Sequence, residues 1–405
     1  MNNQPFVSII IVNYNGKHNL KDCFDSLKNL NYPKSLIEVI MVDNASNDGS
    51  VKYVKKNFPE VILVENKRNI GFGGANNLGV TKAGGEYLAF LNNDARVDKE
   101  WLREMVTVLE PENKVVCIAS KILSWDGTKI DFVGGTVSLI GFAGQIAQGK
   151  EDNSKFASEK VIFFPCGASM LINKNVFEEI NGFDESYFLF FEDVDLGWRL
   201  RLMGYKTLYA PKAIAYHRLH ATVNDINDYK KSFLYERNAL ITILKNYEDV
   251  NMERILICSI ILLTQRTTGI TFEHLTKGRR QLLDLWHTFY LKSKDKGVRN
   301  TIKLAFEKIY WVLLTMILYL FDPKEKYLPV PKRNLANVAA LDNIAKDISE
   351  IMKKRKSIQE KRLISDKEIF KVTDPFWDPF IFKKDISKMM NNIYKEFGVY
   401  NIFKE

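Results

Sequence analysis

The sequence predicts an α/β fold: a mostly parallel, Rossmann-like mixed sheet flanked by helices, with a helical C-terminal extension. Four short apolar, β-branched runs, at 6–12, 37–43, 61–66 and 86–94, recur within the first hundred residues. Segments of helical period separate them, and strands alternating with helices at this spacing imply parallel pairing. Beyond about residue 240 the strand patterns stop and long helical ones take over.

Each element has its own signal. "FVSIIIV" (6–12) is a continuous apolar run, the pattern of a strand buried on both faces, and "NYNG" stops it. "HNLKDCFDSLKNL" follows at helical period. "IEVIMVD" (37–43) is a second buried strand, closed by the turn chemistry of "NASNDGS". "SVKYVKKNF" reads as a helix, "VILVEN" (61–66) as a strand, "GFGGANNLGVTKA" as a Gly-rich turn opening into a helix, and "EYLAFLNND" (86–94) as a fourth strand. Residues 115–172 look β-rich and irregular. A helix is expected from near Asp193 to Met203 with Gly204 as its stop, then a last strand "KTLYAPKAIAYH" (206–217). Farther on, Leu335, Val338, Leu341, Ile344, Ile348, Ile351 and Met352 form an amphipathic stripe. The division falls near residue 240, giving domains 1–240 and 241–405.

Composition bounds the class. The 405 residues are 46% hydrophobic and 26% charged, ordinary for a soluble globular protein. The net charge of +9 is uneven: residues from 241 onward hold about 30 Lys and Arg against about 20 Asp and Glu. That basic region suits nucleic acid, an anionic membrane surface or an acidic ligand, and charge alone does not choose. Four scattered cysteines without C-x-x-C suggest neither a zinc site nor a disulfide framework, and fit a reducing cytosol. The N-terminal apolar run reads as a strand, not a signal peptide. Apolar stretches at 255–263 and 309–321 fall short of the ~20 residues a spanning helix needs. Tyr310, Trp311 and Tyr319 with nearby lysines, and "KKRK" at 353–356, suit an interfacial helix; the alternative is a bundle packed on the first domain or on another subunit. "DPFWDPFIF" (374–382) reads as a packing clamp or an aromatic wedge.

In such sheets ligands gather outside the carboxyl ends of the strands, here Asn13, Asp43, Asn66 and Asp94. In "FLNNDA", alternation puts Asn92 and Asp94 on one side, where two oxygen donors could hold Mg2+ or Mn2+; ordinary turn chemistry is the alternative. Asp43 could accept hydrogen bonds from a base or ribose, or simply close an Asx-turn with Asp48 or Ser50 capping. "RNIGFGGANNLG" has Asn76 where G-x-G-x-x-G needs its third glycine, so dinucleotide binding is disfavoured; the turn serves either ligand approach or packing. His217 closes a strand and is a credible metal ligand, with His220 close behind. "FLFFEDVDLGWRLRLMGY" sets Glu192, Asp193 and Asp195 behind Phe188, Phe190 and Phe191, which makes ionisation costly. Asp195 reads as a helix-start charge with Arg199 at i+4.

These motifs, in order, resemble family 2 glycosyltransferases of the GT-A fold, in particular the rhamnosyltransferase-like and galactofuranosyltransferase-like enzymes of surface-polysaccharide assembly. "VSIIIVNYNG", "VDNASNDGS", "NIGFGGANNLG", "LNNDA", "FFEDVDLGWRLRLMGY" and "APKAIAYH" carry the likeness, over about residues 5–245. The resemblance implies a nucleotide-sugar half over about 1–115 and an acceptor half over about 116–240. It implies Asp94 as principal metal ligand, Asn92 in place of the first Asp of a D-x-D motif, and His217 as the other protein ligand. It implies Asp43 at the nucleobase, the Asn13–Tyr14–Asn15 loop at the nucleotide, and Asn69, Gly71, Asn76 and Asn93 as further donor contacts. Asp193 matches the family's catalytic base, with Glu192 orienting the acceptor; Trp125, Gly167 and Ala168 would line the acceptor groove. Arg237 and Asn238 could reach the site or form a helix-surface pair.

The implied partners are a nucleotide-sugar donor, a glycan or polyprenyl-linked saccharide acceptor, the inner membrane face as a peripheral contact, and a second copy through the C-terminal helices; nucleic acid is not expected. The competing readings are a sugar-nucleotide nucleotidyltransferase, which "NYNGKHN" fits poorly, and a silent lipid- or nucleic-acid-binding scaffold.

Overall fold

The computed structural model describes residues 4–218, 227–268, 302–303, 306–307, 309–310, 332–374, 390–395 and 397–402. The chain separates into two units. The first holds residues up to 137, 143–225 and 363–375; the second holds 138–142, 226–362 and 376 onward. The units interleave, and the boundary expected near 240 falls inside a helix.

The first unit opens with β1 (Val7–Asn13), α1 (Lys17–Lys28), β2 (Ile37–Asp43), α2 (Ser50–Asn57), β3 (Ile62–Glu65), α3 (Gly71–Val80) and β4 (Tyr87–Asn92). It continues through β5 (Ala95–Val97), α4 (Trp101–Thr107), β6 (Val115–Ser124), β7 (Ile130–Phe132), β8 (Gly135–Val137), β9 (Ala143–Gln145) and β10 (Lys160–Ile162). Then come β11 (Ser169–Asn173), α5 (Lys174–Glu179), α6 (Glu192–Leu202) and β12 (Lys206–His217). The main sheet runs β10-β12-β6-β11-β4-β1-β2-β3, with β5 on β12 and β7 on β6. Strands β3, β2, β1 and β4 are parallel, while β11 runs antiparallel between β4 and β6. The chain leaves β1 toward β2 on one side and returns to β4 on the other, so a switch point opens between the ends of β1 and β4.

The alternation of strand and helix read from the sequence is thus present. One difference is informative: the glycines of 71–79 lie within α3 rather than ahead of it. A Cβ on Gly79 would meet Ile10 Cγ2 at 2.7 Å and Val42 Cγ2 at 3.1 Å, so its lack of a side chain lets α3 lie close on β1 and β2. Under the other half of the sheet, Phe90, Phe177 and Phe183 pack with ring centroids 5.1–5.3 Å apart. Such rings contribute roughly 1.5–3 kcal/mol each by burial. The pairing of β12 with β6 slips between Ala210 and Ile214, a bulge that takes up Pro211, and the strand resumes with His217 opposite Ser124.

Residues 363–375 also belong to this unit. The Leu363 and Ile364 amides donate to the Leu202 carbonyl at 2.8 and 3.1 Å, tying off α6. Phe370 packs on Trp198 (5.4 Å) and Phe163 (5.6 Å). Thr373 Oγ1 shares a 2.8 Å hydrogen bond with Thr136.

The second unit is helical: α7 (Asp228–Asn246), α8 (Asp249–Thr268) and α9 (Lys332–Glu360). The α9 stripe is its core, with Val338, Leu341, Ile344, Ile348 and Ile351 at most 4% exposed, while Leu335 stays 40% exposed. Polar groups are buried with partners: Glu236 pairs with Arg266 at 2.8 Å, and the buried Arg355 side chain bonds the exposed Asp249 and the Leu244 carbonyl. Arg355 is therefore not offered to a lipid surface as "KKRK" suggested, and only Lys353 and Lys356 of that run are exposed. Among the described residues no helix is long and apolar enough to cross a membrane. Residues 311–321 and 375–382, and His220, lie outside the described residues.

Candidate active site

At the switch point the strand ends are knit by short polar side chains. Asn13 Nδ2 donates to Asp43 Oδ1 (3.1 Å) and Ser46 Oγ (3.1 Å), and the Ser46 amide donates to Asp43 Oδ2 (2.9 Å). Asn93 Nδ2 donates to Asn13 Oδ1 at 2.7 Å. Gly16 makes room for that bond, since a Cβ there would lie 2.1 Å from Asn93 Nδ2. Asp43 is only 2% exposed, with both oxygens engaged, so its placement matches the turn-closing alternative. Asn15 sits at φ 53, and Tyr14 projects outward at 41% exposure.

A second hub was not anticipated. Asn44 donates to Asn69 Oδ1 (2.9 Å) and the Gly71 carbonyl (3.2 Å), and accepts from the Ile70 amide (3.1 Å). Asn69 and Gly71 are therefore fixed in this loop. Gly71, at φ 80, takes a conformation and a contact with Phe188 that exclude a side chain. Asn76 is 1% exposed and donates to the Phe72 carbonyl of its own helix; that placement does not support the donor contact expected of it.

Asp94 and His217 meet. Asp94 Oδ1 lies 3.1 Å from His217 Nε2, and Asn92 Nδ2 lies 3.3 Å from the same nitrogen. On the far side of the ring, His217 Nδ1 bonds Asp131 Oδ2 at 2.8 Å. Asp131 on β7 was missed by the sequence reading, because nothing local in "KIDFVGG" marks it. Burial alone would lower the imidazole pKa, but bonds and charge from Asp131 and Asp94 outweigh it and lift the value from 6.5 to about 10.

The donor set fits a divalent ion. Two ligand atoms at right angles around an ion with bonds of about 2.1 Å stand about 3.0 Å apart, close to the observed Asp94–His217 separation. A carboxylate on the other ring nitrogen is the usual support of a metal-bound histidine. Turning the Asn92 amide over would present its oxygen. Among the described residues no group of three His, Cys, Asp or Glu side chains is arranged to hold a metal.

Asp193 stands in the first turn of α6. Its Oδ1 accepts from the Val194 amide (2.8 Å) and its Oδ2 from the Gly167 amide (3.0 Å). The next carbonyl, Ala168, accepts from the Asn92 amide (3.0 Å), which brings Asp193 within two peptide units of β4's end. Gly167 and Ala168, expected along the acceptor groove, thus act through their backbone. The approach to α6 is strained: Phe188, Phe190 and Phe191 all have φ between 63 and 73°. Phe188 centres a γ-turn, with the Leu189 amide on the Tyr187 carbonyl at 2.7 Å.

Glu192 is 7% exposed and its Oε2 has no hydrogen-bond partner. Burial first, then the neighbouring Asp193 charge, lifts its pKa to about 8. Burial likewise raises that of Asp193, against the pull of its backbone amides. Asp195 is buried and paired with Arg199 at 2.7 Å, and accepts from Tyr187 Oη at 3.2 Å, a structural role. Arg237 and Asn238 lie in the second unit, bonded to each other at 2.9 Å, with Arg237 also bonded to Asn343.

The mixed sheet, with asparagines, an Asp–His pair and an acidic helix start at its switch point, has the GT-A fold. Residues 8–181 match the model of Glycosyl transferase family 2, so the chain carries a domain of that family there. Glycosyltransferase AglE of Haloferax volcanii is 29% identical over 228 residues, covering 53% of this chain and 67% of that protein. The N-acetylglucosaminyl-diphospho-decaprenol L-rhamnosyltransferase of Mycobacterium tuberculosis is 25% identical, over 47% of this chain and 69% of that one. The rhamnosyltransferase WbbL of Escherichia coli is 24% identical, over 60% and 98%. In fold, the chain resembles GalNAc-T7, solved with UDP, GalNAc and Mn2+, at a TM-score of 0.51 and 17% identity, over 64% of this chain and 51% of that one.

Proposed function

We propose that the protein transfers a sugar, rhamnose-like, from a dTDP- or UDP-linked donor to a lipid-linked or nascent glycan acceptor, with inversion. In this reading the acceptor hydroxyl attacks the anomeric carbon as the carbon–oxygen bond to the diphosphate breaks. The hydroxyl proton passes to Asp193, and the bonding electrons leave with the nucleoside diphosphate. Asp94 and His217, with Asn92, would hold Mg2+ or Mn2+, which when bound supplies positive charge against the departing diphosphate. Asp131 keeps the His217 ring oriented. The half-buried Phe188 and Phe190 and buried Phe191 limit water at the base, and its raised pKa suits a proton acceptor. Tyr14 and the Asn13–Asn15 loop would border the nucleotide. The catalytic unit would work at the inner membrane face.

The observation that supports the reading is the tether from Asp193 through the Gly167 amide and the Ala168 carbonyl to the Asn92 amide at the end of β4, two residues before Asp94. Asp193→Asn should bind donor normally and lose about 10²–10⁴-fold in transfer rate. Asp94→Ala should weaken metal-dependent nucleotide binding. A thermal-shift screen of dTDP-rhamnose, UDP-galactofuranose, UDP-glucose and UDP-N-acetylglucosamine with Mn2+ identifies the donor. Near-normal transfer by Asp193→Asn would remove it as base.

A further inference from the structure

We propose that Arg96, held between Trp125 and Tyr216, is an anion-recognition site for a phosphate group of the acceptor; the proposal deepens the transferase reading above and rests on it for the identity of the ligand. On the β5–β12 ladder Tyr216 stands opposite Arg96 and His217 opposite Ala95. Alternation therefore sends Arg96 and Tyr216 to one face of the ladder and His217 to the other.

The guanidinium is fixed from two sides. Its Cζ lies 4.0 Å from the Tyr216 ring and 5.0 Å from the Trp125 ring, and Nη2 donates to the Trp125 carbonyl at 3.1 Å. The loop carrying Trp125 is itself prefolded: Asp126 Oδ1 accepts from Ser124 Oγ (2.6 Å), the Thr128 amide (3.1 Å) and Thr128 Oγ1 (2.9 Å). Arg218 stacks on the same indole at 4.0 Å, and its amide donates to the Asp94 carbonyl at 3.0 Å. With two guanidinium groups on its ring, Trp125 serves to orient arginines rather than to stack on a sugar.

The two arginines differ in charge balance. Arg218 is paired with Asp22 at 2.5 Å and Asn19 at 2.8 Å. Arg96 has no carboxylate partner among the described residues, and its one hydrogen bond goes to a neutral carbonyl. A guanidinium has five N–H donors in a planar fork, and ring stacking reduces the freedom it loses on binding. Such a fork matches the oxygens of a phosphate. The donor's diphosphate would be met beside His217, on the other face of β12, which leaves the acceptor as the source of a second phosphate.

The test is isothermal titration of the full-length chain with inorganic pyrophosphate and with decyl diphosphate in EDTA, beside UDP and dTDP with Mn2+. The wild type should bind both diphosphates with Kd below about 1 mM. Arg96→Ala should weaken both at least tenfold, Arg96→Lys less, with nucleotide–Mn2+ affinity unchanged within twofold in either. Absent binding by the wild type, or equal binding by Arg96→Ala, overturns the site. Parallel loss of nucleotide affinity moves Arg96 to the donor and overturns the assignment. Decyl diphosphate binding tenfold weaker than pyrophosphate means a small free anion is the ligand, which also overturns it. If Arg96→Ala fails to fold, Arg96→Lys and the alkyl comparison still decide. None of these readouts depends on transfer, whose failure would appear separately in the Asp193→Asn comparison.

Discussion

Glu192→Gln should stabilise the catalytic unit, by an amount that grows with pH. The side chain is 7% exposed, its Oε2 lacks a partner, and Asp193 adds a like charge beside it. Its pKa rises from 4.5 in the unfolded chain to about 8 in the fold. A carboxyl shifted upward contributes its full share to stability below pH 4.5 and loses it as pH climbs to about 8. Across that window the wild type therefore loses stability relative to a side chain that cannot ionise, by at most about 1.4 kcal/mol per pH unit. Gln keeps the shape and removes the charge, so the two proteins should be close at pH 4.5 and diverge steadily. Urea unfolding followed by the fluorescence of buried Trp101 and Trp198, at half-unit steps from pH 4.5 to 9, measures the difference. A difference that stays flat with pH, or a wild type that gains on the variant as pH rises, would refute the claim that this carboxyl is held neutral by burial.

Other perturbations probe the supports of the site. Asp131→Asn should cut Mn2+ affinity about 10–100-fold, read by titration in the presence of nucleoside diphosphate, because it removes the carboxylate that orients His217. Gly16→Ala should break the Asn93–Asn13 bond, since its Cβ would fall 2.1 Å from Asn93 Nδ2; a loss of about 1–3 kcal/mol in denaturant unfolding is expected, with weaker nucleotide binding. Phe370→Ala should cost about 3–5 kcal/mol by emptying the space against Trp198 and Phe163, although it lies far along the chain from both.

The fold was legible because buried parallel strands have a simple signature. The run 37–43 is strand β2 to the residue, because a β-branched run ending in a polar residue leaves little choice, and β12 spans the 206–217 read for it. The Asp94–His217 meeting was legible only through resemblance, since 123 residues separate them and a bulge at Pro211 sets the strand that carries His217. Asp131, Asn44 and Gly16 were not legible, and for one physical reason: each acts by supporting another side chain across the fold. A ligand or base leaves a mark at its own position, as polarity at a strand end or as crowded acids. A supporting residue leaves none, because its partner is chosen by tertiary packing. The strained Phe188–Phe191 turn belongs to the same class, since no local propensity favours φ near +65° for three phenylalanines. The Phe72 amide on the Phe188 carbonyl at 2.7 Å, and the closeness that Gly71 permits there, are contacts from a distant loop that can hold such a turn. The strain and its restraint are thus properties of the pair of loops, and substituting Gly71 should release the turn as surely as any change within it.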